Sequence, residues 1–594
     1  MAGETLYSTF QQIVARYPAE PAVSFKETKA PAYTVWTYRD LDGHVRTAAS
    51  ALLEAGISRG DRVGILAENR VEWAVIDLAA QSIGAIVVGP YASLPAQQIA
   101  EIVNDAGVWL LFLSYPSQRK KLGEIARLVG DRLHCIAFDL DTADDAKPGL
   151  QSFESFLALA TSAVAERLID AQHAVAPTDT ATLIYTSGTT GEPKGAILSQ
   201  RAMLHAPLAV PEERIATIGP GDLFLSFLPL SHITERVGGH YLPLLSGAQI
   251  VYSQGLATLA REIQTLQPTV MLCVPRLLEA MSAKLRSGID ALPRMPRELV
   301  IWSLREGAAV ANVRSNGHEP AGVRRILFRI ADRVALRKLR ARATGGRIRY
   351  IVSGGAPLDA HTGMFLLSMG LPILEGYGLS EAGIISINRP GRQRTGTVGP
   401  PLPGVELKLA DDGEICMRGV GKMDGYWRRP EATHEAIDAD GWLRTGDVGE
   451  LDADGALRIT DRKKDIIVLS NGKKVAPQPI ENALKASPFI AEAVLIGDGA
   501  STISAVIVPE FDKLTLWAAG HGMSSQSAAE LVAEVAVRTM LRQEIDRLTA
   551  GLADYEKVRA FVVADAPFSI ETGELTPTLK VRRAVVLARY PAPV

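Results

Sequence analysis

The segment IYTSGTTGEPKGAILS, Ile184 to Ser199, decides how the rest of the chain reads. Thr186, Ser187, Gly188, Thr189, Thr190 and Gly191 crowd hydroxyls and glycines into six positions, and Glu192, Pro193, Lys194 and Gly195 follow. Small residues let backbone N–H groups turn toward an anion, hydroxyls add donors, and Lys194 supplies a point positive charge. This is the composition of a phosphate cradle. The apolar runs Ala181 to Ile184 and Ala196 to Leu198 read as strands that enter and leave it. The P-loop pattern GxxxxGK[ST] is excluded, because Gly188 counts on to Pro193 and Lys194 is followed by Gly195 rather than a hydroxyl residue. Taken alone, the loop also reads as a plain Gly/Thr turn between strands.

On the N-terminal side, strand and helix patterns alternate. Thr34–Tyr38, Arg62–Leu66, Ala85–Val88 and Trp109–Leu113 read as strands, and Leu41–Ala55, Glu72–Ile83 and Pro95–Asp105 as helices. This rhythm predicts an α/β fold with a mainly parallel sheet. No catalytic constellation shows there; Glu72 reads as surface and Trp73 as core.

On the C-terminal side, Leu223–Leu230 reads as a buried strand running into Ser231 and His232, with Glu235 and Arg236 as a local ion pair. Residues 280–349 change the charge balance. Val323, Leu327, Ile330 and Val334 recur at helical spacing among Arg324, Arg325, Arg329, Arg333, Arg337, Lys338, Arg340 and Arg342. That pattern fits a basic amphipathic helix on anionic lipid, and equally a helix packed on the core with a solvated basic face. Ile348–Val352 and Pro372–Leu374 read as strands, 398–460 as an all-β patch, and a new pattern starts after Asp461–Asp465.

A chain of 594 residues needs more than one domain. A 22% charged composition with a net charge of −3 argues against nucleic acid as a partner. Cys135, Cys273 and Cys416 stand apart with no CxxC, which suits a reducing compartment and argues against a structural metal. The start has no signal-peptide pattern and no run of about 18 apolar residues occurs. The expectation is a cytoplasmic protein, with peripheral contact on the inner face of a membrane left open.

Further motifs stand downstream in a fixed order: LPLSH at 228–232, GGAPL at 354–358, YGLSE at 377–381, TGD at 445–447, DRKKD at 461–465, and LTPTLK ending at Lys580. With YTSGTTGEPKG, this set resembles the signature of the adenylate-forming superfamily: acyl-CoA synthetases, luciferases and peptide-synthetase adenylation domains. LPLSHITER and YGLSEAG are most similar to the long-chain fatty acyl-CoA ligases. The resemblance implies a large N-terminal domain, 1–461, of parallel-sheet α/β subdomains plus a small β-barrel-like subdomain. A small mobile C-terminal α/β domain, 462–594, would follow and carry the catalytic lysine.

It also implies roles. The cradle with Lys194 would hold the ATP phosphates, and Gly354, Gly355, Ala356 and Pro357 with Glu375, Gly376, Tyr377 and Gly378 would seat adenine. Ser380 and Glu381 would meet phosphate and Mg²⁺, Thr190 joining Glu381 at the metal. A carboxylate accepts hydrogen bonds from two vicinal hydroxyls, so Asp447 suits ribose, with Arg462 beside it. His232 would border the acyl carboxylate, Lys464 would be the hinge, Gly472 would lie near the thiol's path, and Lys580 would bridge carboxylate and α-phosphate as a charge. The implied reaction makes acyl-AMP and pyrophosphate from a long-chain fatty acid and ATP, then acyl-CoA and AMP from CoA. The alternatives are an acyl-AMP ligase serving a carrier protein, a ligase for aryl or medium-chain acids, and a non-catalytic acyl or nucleotide binder. The first usually carries an insertion after the hinge, and none is evident between Asp465 and Gly472. Some family members gate the acyl tunnel with a tryptophan that Ser231–Leu242 lacks.

Overall fold

The computed structural model describes residues 4–27, 32–140, 149–187, 193–213, 215–523, 527–569, 571–576 and 580–591, apart from the side chains of residues 162, 186 and 187. Gly188, Thr189, Thr190 and Gly191 therefore lie outside the described residues. By proximity the chain forms two compact units. The first is Met1–Lys408 with Cys416–Thr445 and Leu451–Arg458; the second is Leu409–Ile415 and Gly446–Glu450 with Ile459–Val594.

Two eight-stranded sheets build the first unit. One takes β1 (Pro21–Phe25), β2 (Thr34–Thr37), β10 (Leu223–Ser226), β11 (Gln249–Tyr252), β12 (Val270–Cys273), β13 (Tyr350–Ser353), β14 (Ile373–Leu379) and β15 (Gly383–Ile387). Their order is β15-β14-β13-β12-β10-β11-β1-β2. The other takes β3 (Arg62–Leu66), β4 (Ile86–Val88), β5 (Leu110–Leu113), β6 (His134–Ala137), β7 (Leu150–Ser152), β8 (Thr180–Ser187), β9 (Pro193–Ser199) and β18 (Gly425–Tyr426), in the order β18-β9-β8-β4-β3-β5-β6-β7. The inner pairings are parallel. Their strands read as unbroken apolar runs such as LLFL in β5, because helices cover both faces. Antiparallel pairs stand at the edges: β1 with β2, β14 with β15, and the hairpin of β8 and β9 that brackets the cradle. A four-stranded sheet is formed by β16 (Val405–Leu409), β17 (Glu414–Gly419), β19 (Leu443–Leu451) and β20 (Leu457–Arg462). The second unit has a three-stranded sheet from Ile490–Ile496, Ile503–Pro509 and Val558–Val563, packed with helices around Leu495, Ile507 and Leu541.

The core of the first unit contains charges. Arg236 and Asp77 are both fully buried and paired. Arg236 also donates from Nη1 to Thr182 Oγ1 at 2.8 Å, and Tyr241 donates its hydroxyl to Asp77 Oδ2 at 2.6 Å. Its guanidinium lies 5.0 Å from the ring centroid of Trp73, which is buried as expected, while Glu72 pairs with Arg70. Burial opposes the charge on Asp77, but Arg236, His240 and Tyr241 outweigh it and hold the carboxyl below its ordinary range. The expected local pair of Glu235 with Arg236 is thus replaced. Arg236 reaches back to the helix Val71–Ser82, and Glu235 accepts from Ser226 Oγ at 2.6 Å. Adjacent residues on a helical turn point about 100° apart and do not face each other, and both residues lie on the π-helical turn Glu235–Tyr241.

The strand expected over Leu223–Leu230 also ends early, at Ser226. Asn69 takes over from the sheet there. Its amide nitrogen donates to Leu228 O at 2.6 Å and to Ser226 Oγ at 2.9 Å, and its carbonyl accepts from Leu230 N at 3.0 Å. The basic segment is helical over Gly322–Ala331 and Arg337–Thr344, with a π turn, Asp332–Leu336, between. Its inward side is Ala331, Ala335, Leu336 and Leu339, whereas Val323 is 71% exposed, Ile326 58%, Ile330 47% and Val334 37%. Three of the four stripe residues are thus exposed, while Leu327 is half-buried and Phe328 packs against the core. Among the described residues no helix is long and apolar enough to cross a membrane.

Replacing Arg236 with Met takes the arginine charge from buried Asp77 and leaves it only Tyr241 and His240, and the expected loss is about 3–5 kcal/mol of unfolding free energy. Adding Asp77→Asn should recover part of it. Urea denaturation of the single and double variants measures both.

Candidate active site

The sheets deliver the motif residues at the C-terminal ends of their parallel strands, where α/β folds leave crevices for ligands. Lys194 opens β9, paired across the hairpin with Thr186. Its ammonium lies 5.7 Å from the ring centroid of Tyr426. The Tyr426 hydroxyl donates to Glu381 Oε1 at 3.0 Å. Lys194 and Glu381, 187 positions apart in the sequence, therefore meet on one tyrosine that the sequence reading missed. Its local signal was weak, since GYW reads as an ordinary turn in an all-β patch.

Tyr426 is placed through its backbone. Gly425 and Tyr426 pair with Ile197 and Ala196 of β9, and Trp427 N donates to Gly195 O at 2.8 Å. Asp105 anchors the same region. Its carboxylate accepts from the Tyr185 hydroxyl at 2.6 Å and pairs with Arg429 at 3.1 Å, and its backbone carbonyl accepts from Trp427 Nε1 at 3.1 Å.

The expected adenine-seating residues also converge. Gly354 follows β13, and a Cβ there would stand 3.3 Å from Gly376 O, so the two strand ends approach backbone to backbone. Gly355 has φ +84°, the left-handed region that glycine tolerates, and Ala356 and Pro357 follow it on the exposed connection. Glu375 pairs in register with Ser353 and accepts from Gly396 N at 3.2 Å, and burial pushes its carboxyl up to about 7. Tyr377 is buried within β14, at 7% exposure, and Gly378 packs so closely on Gly383 that any Cβ would strike its carbonyl. Ser380 and Glu381 occupy the turn between β14 and β15.

His232 caps the loop that Asn69 holds. Thr234 N donates to His232 Nδ1 at 3.2 Å, which places the ring proton on Nε2, and Tyr91 lies beside the ring with centroids 6.4 Å apart. Between this loop and the Glu381 turn lies an apolar pocket of about 230 Å³ empty volume. Ala202, Met203 and Ala206 of the helix Gln200–Glu212 line it with Ile233, Val237 and Ile384. Its walls close until no space for a water-sized sphere remains.

In the second unit Asp447 is 3% exposed and pairs with Arg462, Nε to Oδ1, at 3.0 Å. Lys463, which the sequence did not single out, bridges Asp412 at 2.6 Å and Glu414 at 2.9 Å. Lys464 follows on a turn, and Gly472 ends a turn with φ +79° and its N–H on Leu469 O at 2.8 Å. Lys580 sits on a loop clasped by Thr576, whose Oγ1 accepts from Lys580 N at 3.0 Å.

Comparison with known proteins points to one family. The AMP-binding enzyme family matches residues 10–427, and the AMP-binding enzyme C-terminal domain matches 464–590. A long-chain-fatty-acid–CoA ligase of Mycobacterium bovis is 34% identical over 94% of this chain and 91% of its own length. Human long-chain-fatty-acid–CoA ligase 1 is 32% identical over 98% of this chain and 84% of its own length. Among solved structures, the adenylation domain of a carboxylate reductase from Mycobacterium chelonae superposes with a TM-score of 0.76 at 22% identity, covering 99% of this chain and 90% of that one. ATP-bound MatB from Rhodopseudomonas palustris gives 0.68 at 21%, covering 99% of both. At those identities the two structures show the fold.

Glu235 sets a measurable pH dependence. Burial pushes its carboxyl up to about 8, against the opposing hydrogen bond from Ser226. The folded chain therefore holds a proton that the unfolded chain releases above its ordinary value of 4.5. The stabilisation is complete below that value and lost as pH rises through 8, with a slope of at most about 1.4 kcal/mol per pH unit. Glu235→Gln should flatten this slope in urea titrations between pH 5 and 9, and an unchanged slope would assign it to another group.

Proposed function

The chain belongs to the AMP-binding enzyme family, and on that premise we propose that it is an AMP-forming ligase joining long-chain fatty acids to CoA at the expense of ATP. The observation that carries this reading is the pocket beside His232. Its walls are mostly hydrocarbon, with His205 as their one titratable side chain, and its lining residues Ile233 and Ala382 directly follow His232 and Glu381 in the chain, which suits an apolar acyl group. The curated relatives named above are ligases of this kind.

A carboxylate is a poor electrophile, because it is anionic and lacks a good leaving group. Its oxygen attacks the α-phosphorus of ATP, pyrophosphate leaves, and an acyl adenylate results. Two anions must meet in that step. Lys194 with the cradle residues Thr186, Ser187, Gly188, Thr189, Thr190 and Gly191 holds the outer phosphates, and His232 Nε2–H faces the acid. Gly354–Pro357 and Glu375–Gly378 receive adenine, Ser380 adds a hydroxyl toward phosphate, and Asp447 with Arg462 receives ribose. Lys580 acts as a charge between carboxylate and α-phosphate. The CoA thiol then attacks the acyl carbon and AMP leaves. For that step we assign Lys464 as the hinge about which residues 462–594 turn against 1–461, with Gly472 near the thiol's path.

Glu381 and Thr190 would hold Mg²⁺. Among the described residues no cluster of three or more metal-ligating side chains exists. One carboxylate fits magnesium, which keeps several waters and takes its remaining ligands from substrate phosphates. When bound, the ion offsets phosphate charge.

Long-chain acids partition into bilayers, and the protein is proposed to meet them there, peripherally on the cytoplasmic face. The helix from Gly322 exposes Val323, Ile326, Ile330 and Val334 beside Arg324, Arg325, Arg329 and Arg333. Between Arg294 and Arg347 there are thirteen arginines and lysines against four carboxylates, in a chain of net charge −3. This combination favours an anionic lipid surface.

Pyrophosphate release across straight-chain acids from two to twenty carbons should peak at long chains and yield acyl-CoA only with CoA present. Pyrophosphate without acyl-CoA would indicate a carrier-protein ligase. Lys580→Ala should abolish adenylation while sparing conversion of supplied acyl-AMP; equal loss of both would refute its role. Reversing Arg324, Arg325, Arg329 and Arg333 to Glu should abolish sedimentation with anionic vesicles and leave turnover of a soluble short acid unchanged, and vesicle binding that survives would remove this helix from the interface.

A further inference from the structure

We propose that Tyr426 is a positioning residue that holds the metal-binding carboxylate of Glu381 apart from Lys194 and aimed at the phosphate site. The inference rests on the reading of Lys194 and Glu381 given above and adds a residue that neither motif contains. An ammonium and a carboxylate that share one pocket tend to pair, and a pair would withdraw both charges from nucleotide and metal. Among the described residues no ion pair joins Lys194 to Glu381. The tyrosine stands between them instead, its ring face toward the lysine at 5.7 Å and its hydroxyl donating to the carboxylate at 3.0 Å. The ring gives the cation an attractive face without neutralising it, and the hydroxyl orients one carboxylate oxygen without adding charge.

The placement of Tyr426 is over-determined, as a spacer requires. Its backbone is a rung of the sheet beside the cradle, through Ala196, and its N–H donates to Thr433 Oγ1 at 2.9 Å. Two residues on, Arg428 adopts φ +53°, a left-handed conformation that a non-glycine residue keeps only when its surroundings enforce it. Asp105 enforces it here, accepting at its carbonyl from both Arg428 Nη1 and Trp427 Nε1. The carboxylate of the same residue accepts from the Tyr185 hydroxyl at the entry to the cradle, so one helix end sets the registry of cradle strand and tyrosine together. Glu381 is held from its own side, by Met423 N donating to its carbonyl at 2.7 Å.

The test uses the full chain with a non-hydrolysable ATP analogue and Mn²⁺ in place of Mg²⁺, reading metal affinity by electron paramagnetic resonance and nucleotide affinity by calorimetry. Tyr426→Phe keeps the ring and removes the hydroxyl, and Mn²⁺ affinity is expected to fall about tenfold, the size of a hydrogen bond to a charged group. Nucleotide affinity without metal should stay within twofold. In an active wild type, the Mg²⁺ needed for half-maximal pyrophosphate release should rise by the same factor, with the fatty-acid KM unchanged. Tyr426→Leu, which removes the spacer, should weaken nucleotide binding as well. On a Glu381→Gln background Tyr426→Phe should cost nothing further. Unchanged Mn²⁺ affinity in Tyr426→Phe, an equal loss on the Glu381→Gln background, or equal loss of metal and metal-free nucleotide binding with a lowered Tm would each overturn the proposal. A wild type that releases no pyrophosphate with any acid would defeat the enzymatic reading, while the Mn²⁺ and nucleotide titrations would still decide the role of Tyr426.

Discussion

The buried ion pair of Asp77 with Arg236 is the constraint on which the larger unit is built. Arg236 follows a strand of one sheet, its Nη1 reaches Thr182 in the other, and its carboxylate partner comes from a helix between them. A charge in that position is tolerated only when every partner is in place, so the two sheets and the helix have one workable registry. Breaking such a pair is costly, whereas an apolar contact would tolerate sliding. The π turn that carries Arg236 is part of the same device, its adjacent residues pointing apart, Glu235 toward Ser226 and Arg236 toward Asp77. Gly239 makes room for it, because a side chain there would meet the Glu235 carboxyl.

That registry reaches the chemistry through one loop. Leu228 to His232 lies between the end of β10 and the π turn, tied to Asn69 at both of its peptide edges. Glu235, just beyond, has its carboxyl pushed up to about 8 by burial, so at neutral pH it is largely uncharged and hydrogen-bonded. A neutral group there adds no repulsion against an incoming carboxylate. Tyr426 and Asp105 do similar work for β8 and β9, through a rung of the sheet and a carboxylate that accepts from Tyr185. The two halves of the candidate site are thus each fixed by residues that are not expected to touch substrate.

Much of this was legible beforehand, and the reason is locality. Two apolar runs flanking a stretch of glycines and hydroxyls read as paired strands from local pattern alone, and β8 and β9 pair antiparallel as expected. The βαβ rhythm of the N-terminal region likewise follows from short-range patterning. The supporting residues were illegible because each acts across the fold: Asp77 on Arg236 over 159 positions, Asn69 on Leu230 over 161, and Trp427 on Asp105 over 322. An isolated Asn after a strand or a Tyr in a turn has many ordinary explanations. The basic helix was legible as a helix but not in its orientation, since apolar spacing alone suits a core-facing and a lipid-facing stripe equally. The fold turns the small residues Ala331 and Ala335 inward and leaves Val323 and Ile326 exposed.

By itself, then, the sequence determined the α/β class, the order of the motifs and the family to which they belong, because those properties reside in short windows whose physical meaning does not depend on distant partners. Only the tertiary structure decided which charges are buried in pairs, that Glu235 and Arg236 part company, and that Lys194 and Glu381 meet at Tyr426. Burial and pairing are properties of three-dimensional proximity. The energy of a charge or a hydroxyl depends on what the fold brings beside it, and no window of the chain carries that information.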